Sequence, residues 1–139
     1  MTMTTFNLRD ENILLGLEKR YNVSEVKYNI LTGNFVYYNK HGEKKHIHIH
    51  SLVNHMKYEH LENDELYQLL DRVKAGYFPR RIKDSFVEFY EEHDLKLPRN
   101  LYIAHSLVQF YDHDGQIFWL QYEDDFDLMF KQASKYLKK

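Results

Sequence analysis

Cysteine is absent from the 139 residues, which removes disulfide frameworks, thiol nucleophiles and thiolate metal centres together. Proline occurs twice, at Pro79 and Pro98, and the five glycines are scattered. With no Pro/Gly/Ser linker to divide the chain, residues 1–139 are expected to form one compact domain. No Gly-Lys-Ser/Thr string occurs, so a phosphate-cradling loop is excluded, and no Gly-x-Ser-x-Gly elbow is present to activate a serine. Apolar runs extend over a few residues only, far short of the roughly 20 that cross a bilayer. The polar stretch Met1–Phe6 has neither the basic region nor the apolar core of a secretory signal, so a cytoplasmic protein is expected and Asn22-Val23-Ser24 is a chance sequon. A dominant charge is missing too. Nineteen basic and 21 acidic side chains leave a net charge of -2, which argues against a binder driven by bulk positive charge.

What is there suits a packed protein. Hydrophobic residues reach 43% and aromatic residues 16%, enough to build a core dominated by rings at this length. Abundant Lys, Asn, Ile and Tyr beside few Ala give the composition of an AT-rich bacterial or phage genome.

Periodicity divides the chain. Ile13, Leu14, Leu17 and Tyr21 recur at spacings of three and four, which predicts a helix near 10–21 opened by Asp10. The period then becomes two. Residues 26–30, 35–40 and 44–50 read as strands, separated by turns at Thr32-Gly33-Asn34 and His41-Gly42-Glu43. This is a three-stranded meander. Three helices are expected next: one capped by Ser51, one capped by Asn63 and closed by Gly76, and one opened by Pro79. Residues 101–111 read as one long strand that turns at Asp112-His113-Asp114-Gly115 into a second strand, 116–122. The run Ile117–Leu120 is apolar without alternation, which predicts a strand buried on both faces and central in its sheet. A last helix follows Asp124 or Asp125. No internal repeat is visible. The expected fold is α+β: an antiparallel sheet of about five strands, made of the meander and a C-terminal hairpin, packed with four to five helices.

Three groups of residues carry candidate chemistry. His46, His48 and His50 alternate along an expected strand, where they would form one row of imidazoles about 7 Å apart. Two such rings can reach one zinc ion, whereas the plain reading is the wet face of an amphipathic strand whose Ile47 and Ile49 point inward. Asp112, His113 and Asp114 also resemble a cation site, but Asp-x-Asp-Gly is what a turn needs for its own hydrogen bonds. The meander carries Tyr28, Phe35, Tyr37 and Tyr38 with Lys27, Lys40, Lys44 and Lys45, an aromatic and basic combination on which single-stranded bases stack. Arg80, Arg81 and Lys83 could add phosphate contacts.

Acidic clusters give a further reading. Glu88, Glu91, Glu92 and Asp94 form one, and Glu123, Asp124, Asp125 and Asp127 another. Acids at the start of a helix are explained by its dipole; those near the end of the third middle helix are not. With catalytic signatures absent, the sequence is read as a small macromolecule-binding protein. The expected partner is another protein, a basic nucleic-acid enzyme that a phage or mobile-element inhibitor would block, an anti-defence role. Its contact would comprise both acidic groups, with Tyr90 and Tyr122 as aromatic anchors. A nucleic-acid binder using the meander, a zinc enzyme using the histidine row and a homodimer are the alternatives.

Overall fold

The structure, a computed structural model, describes residues 13–74, 77–104, 107–123 and 125–137, with backbone alone for 77–82. Its order is α1 (Ile13–Tyr21), β1 (Ser24–Asn29), β2 (Asn34–Tyr38), β3 (Lys44–His48), α2 (Ile49–Tyr58), α3 (Glu65–Lys74), α4 (Tyr77–Glu92), β4 (Tyr102–Ala104), β5 (Leu107–Tyr111), β6 (Ile117–Gln121) and α5 (Phe126–Ser134). The fold is α+β, as the alternation and helical spacings require. Its sheet has six strands rather than five, all paired antiparallel in the order β3-β2-β1-β4-β5-β6.

The extra strand arises where one long strand was expected. Residues 102–104 and 107–111 fold back on each other, with Ile103 facing Val108 and Ala104 facing Leu107. Position in the sheet is also corrected. β6 is an edge strand, not a central one, and its apolar run is half-buried or exposed along its whole length. The centre is β1 against β4.

The two halves of the sheet share one plan. β2 and β3 are five-residue strands joined by five residues, with Asn34 facing His48 and Tyr38 facing Lys44. β5 and β6 repeat this, with Leu107 facing Gln121 and Tyr111 facing Ile117. Their loops match bond for bond. Asn39 and Asp112 each accept two backbone N–H groups on Oδ1, from His41 and Glu43 and from Asp114 and Gln116, at 2.9–3.0 Å. In each loop a glycine with positive φ, Gly42 or Gly115, donates back to the Asx carbonyl at 3.0 Å. Only Gly adopts that conformation without a Cβ penalty. Asp112, His113 and Asp114 are therefore turn chemistry. A helix precedes and follows each meander, so the chain is a tandem of two αβββα units with α3 between them. That internal repeat is invisible in the sequence, where the two hairpins share little beyond the Asx, the Gly and Tyr38/Tyr111.

One face of the sheet forms the core. Tyr28, Phe35, Ile103, Val108 and Phe110 point to it and join Leu14, Met56, Leu70, Phe86 and Met129 from the helices in one buried cluster. Its C-terminal part is a set of rings. Phe89 stacks on Phe130 at 4.6 Å, Phe110 stacks on Phe118 at 5.5 Å, and Phe86 meets Phe130 edge-on at 5.3 Å. Each such pair contributes about 0.5–1.5 kcal/mol beyond the area it buries.

The helix ends explain the boundaries. Asp125 caps α5 by accepting from Leu128 N–H at 3.2 Å. Asp64, not Asn63, opens α3: its carboxylate accepts from Leu66 N–H at 2.8 Å and also pairs with Arg20. Asp10, Gly76 and Asp124 lie outside the described residues. Three helices stop in the same way. Asn22, His60 and Asp94 adopt positive φ of 54°, 62° and 56°. The next residue, Val23, Leu61 or Leu95, then donates to the carbonyl five positions back, at 3.2, 3.1 and 2.8 Å. This termination normally employs glycine.

A histidine in that conformation carries a Cβ penalty of about 1 kcal/mol. His60→Gly is expected to raise stability by about that amount, a gain of about 4 °C in Tm for a chain of this size, measured by thermal denaturation. A second expectation concerns alkali. Burial pushes the Tyr90 phenol up to about 12, against a backbone N–H from Tyr111 at 3.1 Å that favours ionisation, and burial raises Tyr28 as well. An unfolded tyrosine ionises near 10. The neutral, buried phenols therefore contribute stability that is complete below pH 10 and is lost as pH rises towards 12. Urea midpoints should be flat from pH 8 to 9 and fall above pH 10; no change up to pH 11 would contradict this account.

Candidate functional site

Among the described residues the helices pack against one face of the sheet, and the other is termed the open face. Residues at the alternate register positions, among them Lys27, Val36, Tyr38, Lys44, His46, Tyr102, Tyr111 and Trp119, point to it. Charge is segregated there. The chain has 21 acidic residues, yet β2 to β6 contain no Asp or Glu. Lys27 sits over the Tyr102 ring, its Nζ 5.9 Å from the centroid, an attraction between cation and π-face. Lys44 and His46 are exposed on the edge strand β3.

A shallow basin of about 330 Å3 lies on this face, bordered by Asn29, Asn34, Val36, Lys44, His46 and Tyr102. Amides, a phenol ring and an ammonium thus border one concavity. Asn29, almost fully buried, is committed to structure: its Oδ1 accepts from Leu31 N–H and Leu101 N–H at 3.0 and 3.4 Å, and its Nδ2 donates to Asn100 at 2.7 Å.

The structure distributes the meander aromatics differently from the sequence reading. Tyr28 and Phe35 are core residues whose rings pack 4.8 Å apart. Tyr37 faces the helices, and only Tyr38 reaches the open face. The rings that join it, Tyr102, Tyr111 and Trp119, come from the second half. Pattern alone could not group them, because it gives the period of a strand but not which strands lie side by side.

The histidine row is broken. β3 ends at His48, and His50 already lies in the first turn of α2. His48 replaces Ser51 as the cap, its Nδ1 accepting from His50 N–H at 3.2 Å, a role that requires Nδ1 to carry no proton. The two rings meet edge-on at 5.0 Å. Gly33 lies beneath His48: a Cβ there would stand 3.0 Å from its Nε2. Among the described residues no group of three or more His, Cys, Asp or Glu could hold a metal ion.

The acidic residues do not converge. Glu88, Glu91, Glu92 and Asp94 are exposed at the far end of α4. Phe89 stacks on Phe130, and His93 lies 3.2 Å from Ser134, so that end of α4 lies beside the last turns of α5. Asp125 and Asp127 are at the opposite end of α5, and Glu123 precedes them; Asp124 lies outside the described residues. Tyr90 and Tyr122, expected as surface anchors, are 1% and 2% exposed. Tyr122 packs edge-on to Phe126 at 6.4 Å.

Sequence reasoning missed a second concavity. An apolar cavity of about 220 Å3 lies between α1, α2 and the helix-facing side of the first meander, lined by Leu17, Val26, Phe35, Ile47 and Leu52. Tyr21 and His55 complete it and share one carboxylate. The Tyr21 hydroxyl donates to Glu59 at 2.9 Å, and His55 Nε2 lies 3.4 Å from the same oxygen. Burial raises the Tyr21 phenol, and the Glu59 carboxylate reinforces the shift.

No known protein family, curated protein or solved structure matches the chain significantly. Among the described residues, no helix is long and apolar enough to cross a membrane.

The cap has a direct test. His48→Ala is expected to cost about 1 kcal/mol of stability, while His48→Asp, which keeps an acceptor, retains the wild-type value. Chemical denaturation of the three proteins distinguishes a capping histidine from a merely exposed one.

Proposed function

We propose that the protein binds single-stranded nucleic acid on the open face of its sheet and works in the cytoplasm. The observation that carries this reading is the segregation of charge: a chain of net charge -2 has one acid in its described strands, Glu25 of β1, and sets the half-buried rings of Tyr102 and Tyr38 beside Lys27 and Lys44. Unpaired bases stack on such rings irrespective of sequence, and ammonium groups follow the phosphates. The basin beside Tyr102 supplies a place for one base, with amide groups at its border.

A second reading is favoured by one feature of α4. Glu91 and Glu92 occupy its last turn with no basic residue among them, where the helix dipole disfavours anions. Such a patch suits the basic groove of a nucleic-acid enzyme, and an inhibitor of phage or mobile-element origin would act in this way.

One set of variants separates the two. In the first reading a fluorescent oligothymidylate binds the purified protein at low salt, and its affinity falls steeply as salt rises. Tyr102→Ala weakens binding by about 5- to 150-fold, the loss of one stacked base. Lys27→Ala with Lys44→Ala lowers affinity and flattens the salt dependence. Reversing Glu88, Glu91 and Glu92 to Lys leaves the Tyr102 effect in place. No binding at low salt would end the nucleic-acid reading. A protein partner captured by the wild type and lost on that charge reversal would establish the second.

A further inference from the structure

The sheet ends in two edges, β3 and β6, which are geometrically equivalent and chemically opposite. In each hairpin the loop fixes which backbone groups turn inward, because Asn39 N–H bonds to Glu43 O at 2.9 Å and Asp112 N–H bonds to Gln116 O at 3.0 Å. Inward positions then recur at every second residue. Lys44, His46 and His48 on one edge, and Ile117, Trp119 and Gln121 on the other, therefore turn their N–H and C=O groups outward. Among the described residues, no hydrogen bond engages the outward groups of Ile117, Trp119 or Gln121.

An edge with free backbone groups recruits another strand unless it is guarded, and charged side chains are the usual guard. β3 is guarded by two lysines and two histidines. β6 has no charged residue, no proline and no bulge, and Ile117 is 51% exposed. Beside it, Tyr136 stacks on Phe118 at 5.3 Å while remaining 54% exposed.

We propose that two copies of this chain pair through β6, antiparallel, about a two-fold axis at Trp119. A second copy is the occupant that the strand itself specifies. Trp119 stands midway between Ile117 and Gln121, so Ile117 of one copy faces Gln121 of the other, and no like charges meet. The contact is isologous, as a closed dimer requires. The β1–β4 seam already joins two meanders antiparallel within one chain, and β6–β6 pairing repeats that joint between chains. The two open faces become continuous. This inference is independent of the nucleic-acid reading, whose diagnostic variants leave β6 untouched.

Light scattering on the full chain at about 100 µM should give twice 17.0 kDa, with dissociation on dilution. Ile117→Lys is expected to return the mass to that of one chain while thermal melting shows it folded, and His46→Lys on the guarded edge to leave the dimer intact. Because the protein has no cysteine, oxidation of a Trp119→Cys variant tests the register. Residues facing each other across an antiparallel pair are about 5.5 Å apart at Cα, within disulfide range, so a disulfide-linked dimer should form. A wild type that stays monomeric at that concentration, or a dimer that Ile117→Lys leaves intact, would overturn the proposal.

Discussion

The joint between the two halves of the sheet is organised around the buried Asn29. Tyr28 with Ile103 and Asn29 with Tyr102 pair across the seam between the first meander and the second, and Ile30 N–H continues it by bonding to Leu101 O at 3.0 Å. The Asn29 side chain extends this short ladder on both sides, holding Leu31 and Leu101 by their N–H groups and Asn100 by its amide oxygen. Its own carbonyl accepts from Gly33 at 2.8 Å and starts the turn into β2. A buried amide is costly unless its partners are supplied. Here each partner is a backbone or side-chain group at the joint, so the same residue satisfies the seam and fixes its register.

From that joint the architecture follows. Two meanders related by a half-turn present their apolar faces to the same side, and the helices cluster there. The opposite face, which none of the described helices covers, collects lysines, exposed imidazoles and half-buried rings. The repeat is one of geometry more than of chemistry. The first unit is basic and guarded at its edge, whereas the second is uncharged and apolar there, and that asymmetry distinguishes the two ends of one continuous sheet.

Elements were legible in the sequence where local rules decide them. Alternation located β1 to β3, the glycine turns at Gly42 and Gly115 announced both hairpins, and the acids Asp124 and Asp125 announced the start of α5, which Asp125 caps. What escaped depended on neighbours far away in the chain. The apolar run Ile117–Leu120 reads as a central strand because a residue facing an uncovered sheet can be as apolar as one facing a core. The reversal between Ala104 and Leu107 carries no glycine or proline to announce it. The histidine alternation ends when His48 turns its ring to cap α2, a competition between strand period and helix start that spacing cannot resolve. Tyr90 has the composition of an anchor and the location of a core ring. For the open face, Lys27, Lys44 and Tyr38 were visible as candidates, but Tyr102 and Trp119 joined them only through strand order.

The joint at β1 and β4 also sets the folding problem. Every other strand pair links neighbours in the chain, closed by loops of a few residues and formed at small entropic cost. Tyr28 and Ile103 are the exception, separated by most of the helical layer. The long-range order of the sheet thus rests on closing one long loop, whose entropic cost exceeds that of any hairpin in either meander.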